Sequence, residues 1–226
     1  QRHGANDASV NMKIIDLSHS IYPGIPIYPG TEPPSFVAAS TIEHDGFAEM
    51  KISMHTHTAT HMDAPSHILR KGKSLDMFNA AHFAGPAVVV DALHIPTGEI
   101  TAGLFEPYRE QLKNADFALI KTGWSSYWGQ DRYFGNFPAL SVDAARWLAG
   151  FHLKGIGIDA ISIDPIHNAA LSAHHVLLGS DIVIIENLTN LDAIKSKNIF
   201  FISLPLKIRN ADGSPTRAVA IEDFIA

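Results

Sequence analysis

Between His55 and His67 the chain reads "HTHTATHMDAPSH", which places four histidines and an aspartate within thirteen residues. Imidazole nitrogen and carboxylate oxygen are the groups that hold divalent ions where thiolates are lacking, and this chain has no cysteine. Lys51, Ser53, His55, His57, Ala59, His61, Asp63, Pro65 and His67 share odd parity, whereas Ile52, Met54 and Met62 are even. In a strand that gives one polar and one apolar face. A straight strand at about 3.3 Å per residue would hold His57 and His61 roughly 13 Å apart, too far to share an ion bound at about 2.0 to 2.1 Å. The chain must therefore curl at Thr58-Ala59-Thr60, in a turn or bulge that brings the i and i+4 imidazoles to one side. Pro65 holds Ala64 extended and limits how far that turn can run.

So curled, His57, His61 and Asp63 form a two-nitrogen, one-oxygen set with open positions, which suits a catalytic more than a structural ion. His67, beyond the proline, is the candidate for proton transfer, because imidazole titrates near neutral pH. His55 precedes the curl and is expected to support rather than ligate. Any one of these histidines taken alone reads better as decoration of a polar sheet face. Their density is what points to an ion.

The elements that must position these groups are mostly strands. "MKIIDLSHSI", "PAVVVDAL", "ADFALIKTG", "GIGIDAISID", "DIVIIENL" and "IFFISLPLKI" are rich in β-branched and aromatic residues. "YPGIPIYPGTEPP" carries too much proline for a helix or central strand and is predicted to be a rigid surface loop. "SVDAARWLAG" is predicted to be a helix capped by Ser141 and ended by Gly150. "KIRNADGSPTRAVAI" reads as two strands joined at a tight Asp-Gly turn. The pattern is that of a sheet-dominated α/β or α+β domain.

With 226 residues, 46% hydrophobic and 18% charged, one domain over residues 12–226 is expected. Residues 1–11 are polar and read as a disordered lead-in or a cloning remnant. A net charge of -6 without a basic stripe argues against a nucleic-acid partner. No apolar run has the length of a membrane span and no signal-peptide core is present, so a cytoplasmic protein without membrane contact is expected.

The stretch from His57 to His67 resembles the H-x-G-T-H-x-D-x-P-x-H signature of the cyclase family of metal-dependent hydrolases, which includes bacterial kynurenine formamidases and isatin hydrolases. Ten of its eleven positions are compatible. "IDLSHSIYPGIPIYPG", "LIKTGWSSYW", "GIGIDAISIDP", "IIENLTNLDAI" and "GSPTRAVAI" extend the likeness in order over most of the chain. The resemblance implies a swivelling β/β/α fold and a divalent ion on His57, His61 and Asp63. In the formamidase branch it further implies a second zinc, bridged by the aspartate and held by a histidine and a glutamate twelve residues apart, a spacing that His174 and Glu186 offer. His174 and His175 adjoin, and the sequence leaves open which one faces inward. One or two ions per chain, zinc or manganese, are thus expected.

Ala59 stands where the family has glycine; if that position needs positive φ, the cost is on the order of 1 kcal/mol. Tyr28 stands where formamidases that clamp an aromatic substrate have tryptophan. Tyr28, Phe47 and Trp124 are the candidates for substrate contact, with Tyr22 and Trp128 as further aromatics that could line a pocket or fill the core. The activity implied is hydrolysis of a small-molecule carbon-nitrogen amide bond, as in an arylformamide such as N-formylkynurenine, with His67 moving the proton. The alternatives are an isatin-hydrolase-like lactamase with a single manganese, in which His174 and Glu186 support rather than ligate, and a non-catalytic metal or metabolite carrier. The family also implies a homo-oligomer, dimer or tetramer, with sites near subunit contacts.

Overall fold

The computed structural model describes residues 12–223. The polar segment 1–11, expected as a lead-in, lies outside the described residues.

The runs of Val, Ile and Phe form strands where their β-branched packing favours them. In chain order the strands are β1 (Lys13–Asp16), β2 (Ser35–Ser40), β3 (Glu49–Ser53), β4 (His61–Asp63), β5 (Ala84–Asp91), β6 (Glu99–Ile100), β7 (Phe117–Lys121), β8 (Ala139–Leu140), β9 (Gly155–Ile158), β10 (Val183–Glu186), β11 (Ile199–Pro205) and β12 (Gly213–Glu222). The helices are α1 (Ile42–Asp45), α2 (Arg109–Leu112), α3 (Val142–Ala149) and α4 (Ser172–Gly179).

Seven strands close on themselves in the order β12-β11-β5-β7-β9-β10-β4 and back to β12, and β1 adds to the outside of the ring. β5, β7, β9 and β10 run parallel, and β11, β12 and β4 are antiparallel to their neighbours. One edge of β12 pairs with β11 along Thr216–Glu222. Its other edge is shared, with β1 opposite Val219–Glu222 and β4 opposite Gly213–Pro215. This division is what closes the ring.

The parallel strands are buried on both faces, which explains their unbroken apolar sequence. Phe117 and Leu119 of β7 turn into the ring, where Phe117 meets Phe201 of β11 with ring centroids 5.0 Å apart. Ala118 and Ile120 turn outward to a second core shared with Ala144, Ala145 and Leu148 of α3 and Leu177 of α4. Ser141 caps α3 by accepting from the Ala144 N–H at 3.1 Å, as its sequence predicts. Gly150 ends the helix in the right-handed region at φ -75.

One expectation needs correction. β11 and β12 are not joined by a tight Asp-Gly turn: residues 206–212 form a seven-residue loop, because β12 starts at Gly213 in register with Asp63 of β4. The segment around His174 is helical, with apolar residues lying almost all round the helix rather than along one stripe.

β9 contributes Gly155 and Gly157 to the ring interior. A Cβ on Gly155 would stand 2.8 Å from Cε1 of Phe117 and 2.9 Å from Cγ2 of Val183. Gly155→Ala should therefore destabilise the protein by about 1–3 kcal/mol through overpacking. At roughly 2–4 °C per kcal/mol for a chain of this size, a thermal melt reads this directly. An unchanged melting temperature would show that the ring interior has room to spare.

Candidate metal centre

β4 has only three residues, all buried, and it lies between β10 and β12. Met62 points into the ring, so His61 and Asp63 share the outer face. His61 stands directly opposite Glu186 of β10, where side chains on one face meet. The result is a short triangle: His61 Nε2 is 3.3 Å from Asp63 Oδ1 and 3.4 Å from Glu186 Oε2. On the other side Asp63 faces Gly213. The missing side chain makes space for the His57 ring, since a Cβ there would stand 2.6 Å from its Cε1.

The curl required between His57 and His61 is present. Ala59 sits at φ 55 in the left-handed region, and the two rings meet edge to face with centroids 5.1 Å apart. Alanine at such a φ carries strain of roughly 1–2 kcal/mol, which the neighbours offset. The Ala59 carbonyl accepts both from Asn187 Nδ2 at 2.8 Å and from His61 Nδ1 at 2.8 Å. A carbonyl cannot donate, so the His61 Nδ1 carries the hydrogen and Nε2 faces the carboxylates. Asn187 is itself held by the buried Tyr133 hydroxyl at 2.6 Å. Thr60 donates to the Asn187 carbonyl at 2.6 Å and accepts from the His19 N–H at 2.9 Å.

α4 brings the second half. Leu171 offers no side-chain cap, and the carboxylate of Asp164 takes that place, accepting from the N–H groups of Ala173 at 3.1 Å and His174 at 3.0 Å. The same carboxylate accepts from His174 Nδ1 at 2.7 Å, so Nε2 is aimed inward, 3.5 Å from Asp63 Oδ2 and 3.4 Å from Glu186 Oε1. Between the adjoining histidines it is thus His174 that is buried and His175 that is exposed.

Asp63 is the hinge of the arrangement. Its Oδ1 faces His57 Nδ1 at 2.7 Å and His61, and its Oδ2 faces His174. Two ligand-type triplets result, His57-His61-Asp63 and Asp63-His174-Glu186. A third, His57-His67-Asp212, adds a residue that sequence reasoning took for part of a turn. Asp212 accepts from Thr56 Oγ1 at 3.1 Å, lies 3.1 Å from His57 Nε2 and is 3.6 Å from His67 Nδ1.

Burial opposes charge on every one of these groups, and mutual pairing overrides it at all but His67. Asp63 is held well below the usual carboxylate range by the charge of His57 and its hydrogen bonds with the three histidines. Glu186 is lowered against both burial and the repulsion of Asp63 by hydrogen bonds from His174 and His61. His61 is lifted to about 10 by Asp63 and Glu186, and His174 is raised well above its ordinary value by Asp164, Asp63 and Glu186. His67 moves the other way, lowered chiefly by burial. Two buried anions ringed by converging imidazoles are a donor set that a divalent ion fits, because it replaces the ring protons as countercharge.

These residues line a cavity of about 350 Å³, walled also by Pro26, Ile27, Tyr28, Thr31 and Glu32 from the proline-rich loop and by Ile161, Ser162 and Leu171. Tyr28 is the one aromatic candidate on this wall, and its hydroxyl donates to the Ile166 carbonyl at 3.4 Å. Trp124 lies in the outer core, on the short helical turn that follows β7, with its indole N–H on the Tyr133 carbonyl. Phe47 is exposed on the loop between α1 and β3, outside the cavity. His55 lines the cavity mouth and receives the Thr58 hydroxyl on its carbonyl at 2.7 Å. Asp164, Asn187 and Asp212 were missed, since none carries a ligand spacing and each reaches the site only through the fold.

The cyclase family model matches residues 15–165. The chain belongs to the cyclase family. Over 206 residues it is 32% identical to a kynurenine formamidase of Bacillus thuringiensis (strain Al Hakam), covering 91% of this chain and 95% of that one. Its structure is similar to that of isatin hydrolase A from Labrenzia aggregata, with a TM-score of 0.82, 27% identity and 94% of each chain covered. A structure described as a predicted metal-dependent hydrolase from Bacillus stearothermophilus matches with a TM-score of 0.77 and 29% identity, over 93% of this chain and 98% of that one. The sheet-dominated cyclase fold expected from the sequence is thereby borne out.

Because Asp63 and Glu186 raise His61 and His174, a divalent ion should bind this cyclase-family chain with proton release. Calorimetry near pH 7 in buffers of different ionisation enthalpy measures it, and Asp63→Asn should remove both the release and the binding. A second prediction concerns His19, which stacks on Trp128 at 3.9 Å, has no partner for Nε2 among the described residues and is lowered to about 4 by burial. In the unfolded chain it takes a proton near pH 6.5 and in the folded chain only near 4. Its contribution to stability is therefore complete above about 6.5 and lost as pH falls towards 4. His19→Phe keeps the stack and should flatten denaturant-measured stability across that window; a profile parallel to the wild type would sink this assignment.

Proposed function

We propose that the chain hydrolyses the carbon-nitrogen bond of a small arylformamide or cyclic arylamide, with His57, His61, Asp63, His174 and Glu186 holding one or two divalent ions, zinc or manganese. The observation that carries the two-ion form is the placement of Asp63, one oxygen toward each triplet. The relatives that bear the names kynurenine formamidase and isatin hydrolase support the substrate class.

When bound, the ion supplies Lewis acidity that acidifies water and polarises a carbonyl. The chain's own groups do the rest. Asp164, Ala59 and Asn187 keep the His174 and His61 rings turned so that Nε2 faces the centre. Burial keeps His67 neutral at pH 7, so it can accept the proton of the attacking water. As the carbon-nitrogen bond breaks, His67 returns that proton to the departing nitrogen; the water oxygen stays in the acid product and the amine leaves neutral. Asp212 beside its Nδ1 orients the ring. Ile27, Tyr28, Ile161 and Leu171 offer an apolar wall to an aryl group.

The hairpin of β2 and β3 supports assembly into a homo-oligomer, dimer or tetramer: Val37, Ile42, Phe47, Met50 and Ile52 are all exposed along it. His67→Ala should keep its metal and lose about a hundred- to ten-thousand-fold in kcat. Elemental analysis of the same samples gives the ion count. Two ions per chain with arylformamide turnover support the reading above, and one ion with turnover of isatin alone favours a lactamase; unchanged turnover in His67→Ala would remove His67 from the mechanism.

A further inference from the structure

Apart from the imidazoles at its base, the charged side chains around the cavity are all of one sign. Glu32, Asp63, Glu186 and Asp212 line it, and among the described residues no lysine or arginine does. Asp63 and Glu186 are committed to the histidines at its base, and Asp212 to Thr56 and His57. Glu32 is different: it is exposed, it has no hydrogen bond or ion pair among the described residues, and it sits on the same loop as Ile27 and Tyr28, which form the apolar wall. The net charge of -6 adds a repulsive background.

With the amide at the histidines of the base, a substrate carboxylate carried on the far side of the aryl group would give up water at the outer wall and find no guanidinium or ammonium group there, next to the carboxylate of Glu32. Unpaired and like-charged groups of this kind are how sites reject a ligand that otherwise fits. An aryl amide without a carboxylate escapes that penalty, and one with an ammonium group gains an attraction to Glu32.

We propose that, within the amide hydrolysis inferred above and resting on it, this site selects neutral or cationic arylamides over those bearing a carboxylate, and that Glu32 is the residue that discriminates. Glu32 acts on binding rather than on the reacting bond. Its effect therefore falls mainly on KM and weakens with ionic strength, because the group is exposed.

The test uses metal-loaded full-length protein and four probes that share the N-formyl arylamine: formanilide (neutral), N-formylkynuramine (cationic), N-formylkynurenine (zwitterionic) and N-formylanthranilate (anionic). The expected result is a kcat/KM at least tenfold higher for N-formylkynuramine than for N-formylkynurenine, with N-formylanthranilate lowest and the gap narrowing in 0.5 M salt. Glu32→Gln should shrink the ratio, and Glu32→Arg should raise turnover of N-formylanthranilate. Direct calorimetric binding of the products kynuramine and kynurenine should show the same order, with or without turnover. Equal or better turnover of N-formylkynurenine, or a ratio unmoved by Glu32→Arg in a variant that melts like the wild type, would overturn this inference and leave the hydrolase reading standing. No turnover of any probe by protein shown to carry metal would overturn the arylformamide reading and this inference with it.

Discussion

Asp63 and Glu186 are carboxylates buried to within 1% and 4% of full enclosure on neighbouring strands of one sheet. Taking two like charges out of water this close together costs several kcal/mol each unless every oxygen finds a partner. The partners are all present. Glu186 Oε1 accepts from the Ile163 N–H at 2.8 Å, and the remaining oxygens face the imidazoles of His57, His61 and His174. Each imidazole is aimed by something further out: a carbonyl for His61, the helix-capping Asp164 for His174, the bare Gly213 backbone beside His57. Losing any one of these supports would leave a buried charge without its counterpart.

The fold can be understood from that need. A three-residue strand is too short to hold its own place, and β4 does so only by pairing on both edges, with β10 and with the first residues of β12. That double pairing closes the ring and, in the same act, sets His61 against Glu186 and Asp63 against Gly213. Parallel β7 and antiparallel β11 together supply rigidity, since Phe117, Leu119 and Phe201 pack closely in the interior. The chemistry sits on the outer face, where α4 and the loops can reach it.

Much of this was legible in the sequence. A straight strand would hold His57 and His61 roughly 13 Å apart, which required a curl at Thr58-Ala59-Thr60 if the two were to meet. The strands of the ring announced themselves through Val, Ile and Phe, and Ser141 marked the start of α3. What was hidden belongs to long-range pairing. Asp212 lies 155 residues from His57, and its Asp-Gly pair looks locally like a turn. Asp164 reaches His174 only because the helix start folds back over it. The placement of the aromatics was hidden for a related reason: burial of Trp124 and exposure of Phe47 depend on which loops cover them, and no local pattern records that.

The distribution of strained backbone completes the argument. Ala59 at φ 55, Leu171 at φ 45 and Asn187 at φ 57 all occupy the left-handed region, and all three line the cavity. Glycine would relieve Ala59 and Leu171, yet glycine would also remove the methyl and isobutyl groups that make up part of the apolar wall, and would loosen a turn that must hold two imidazoles in place. Asparagine tolerates φ near +57 better than other residues and at Asn187 spends its amide on the Ala59 carbonyl. Strain at Ala59 is thus held by the same hydrogen bonds that fix the His61 ring, so relaxation of the turn and disorder of the metal centre are one event. At Ala59 the stress is offset by the hydrogen bonds from Asn187 and His61 that hold the turn.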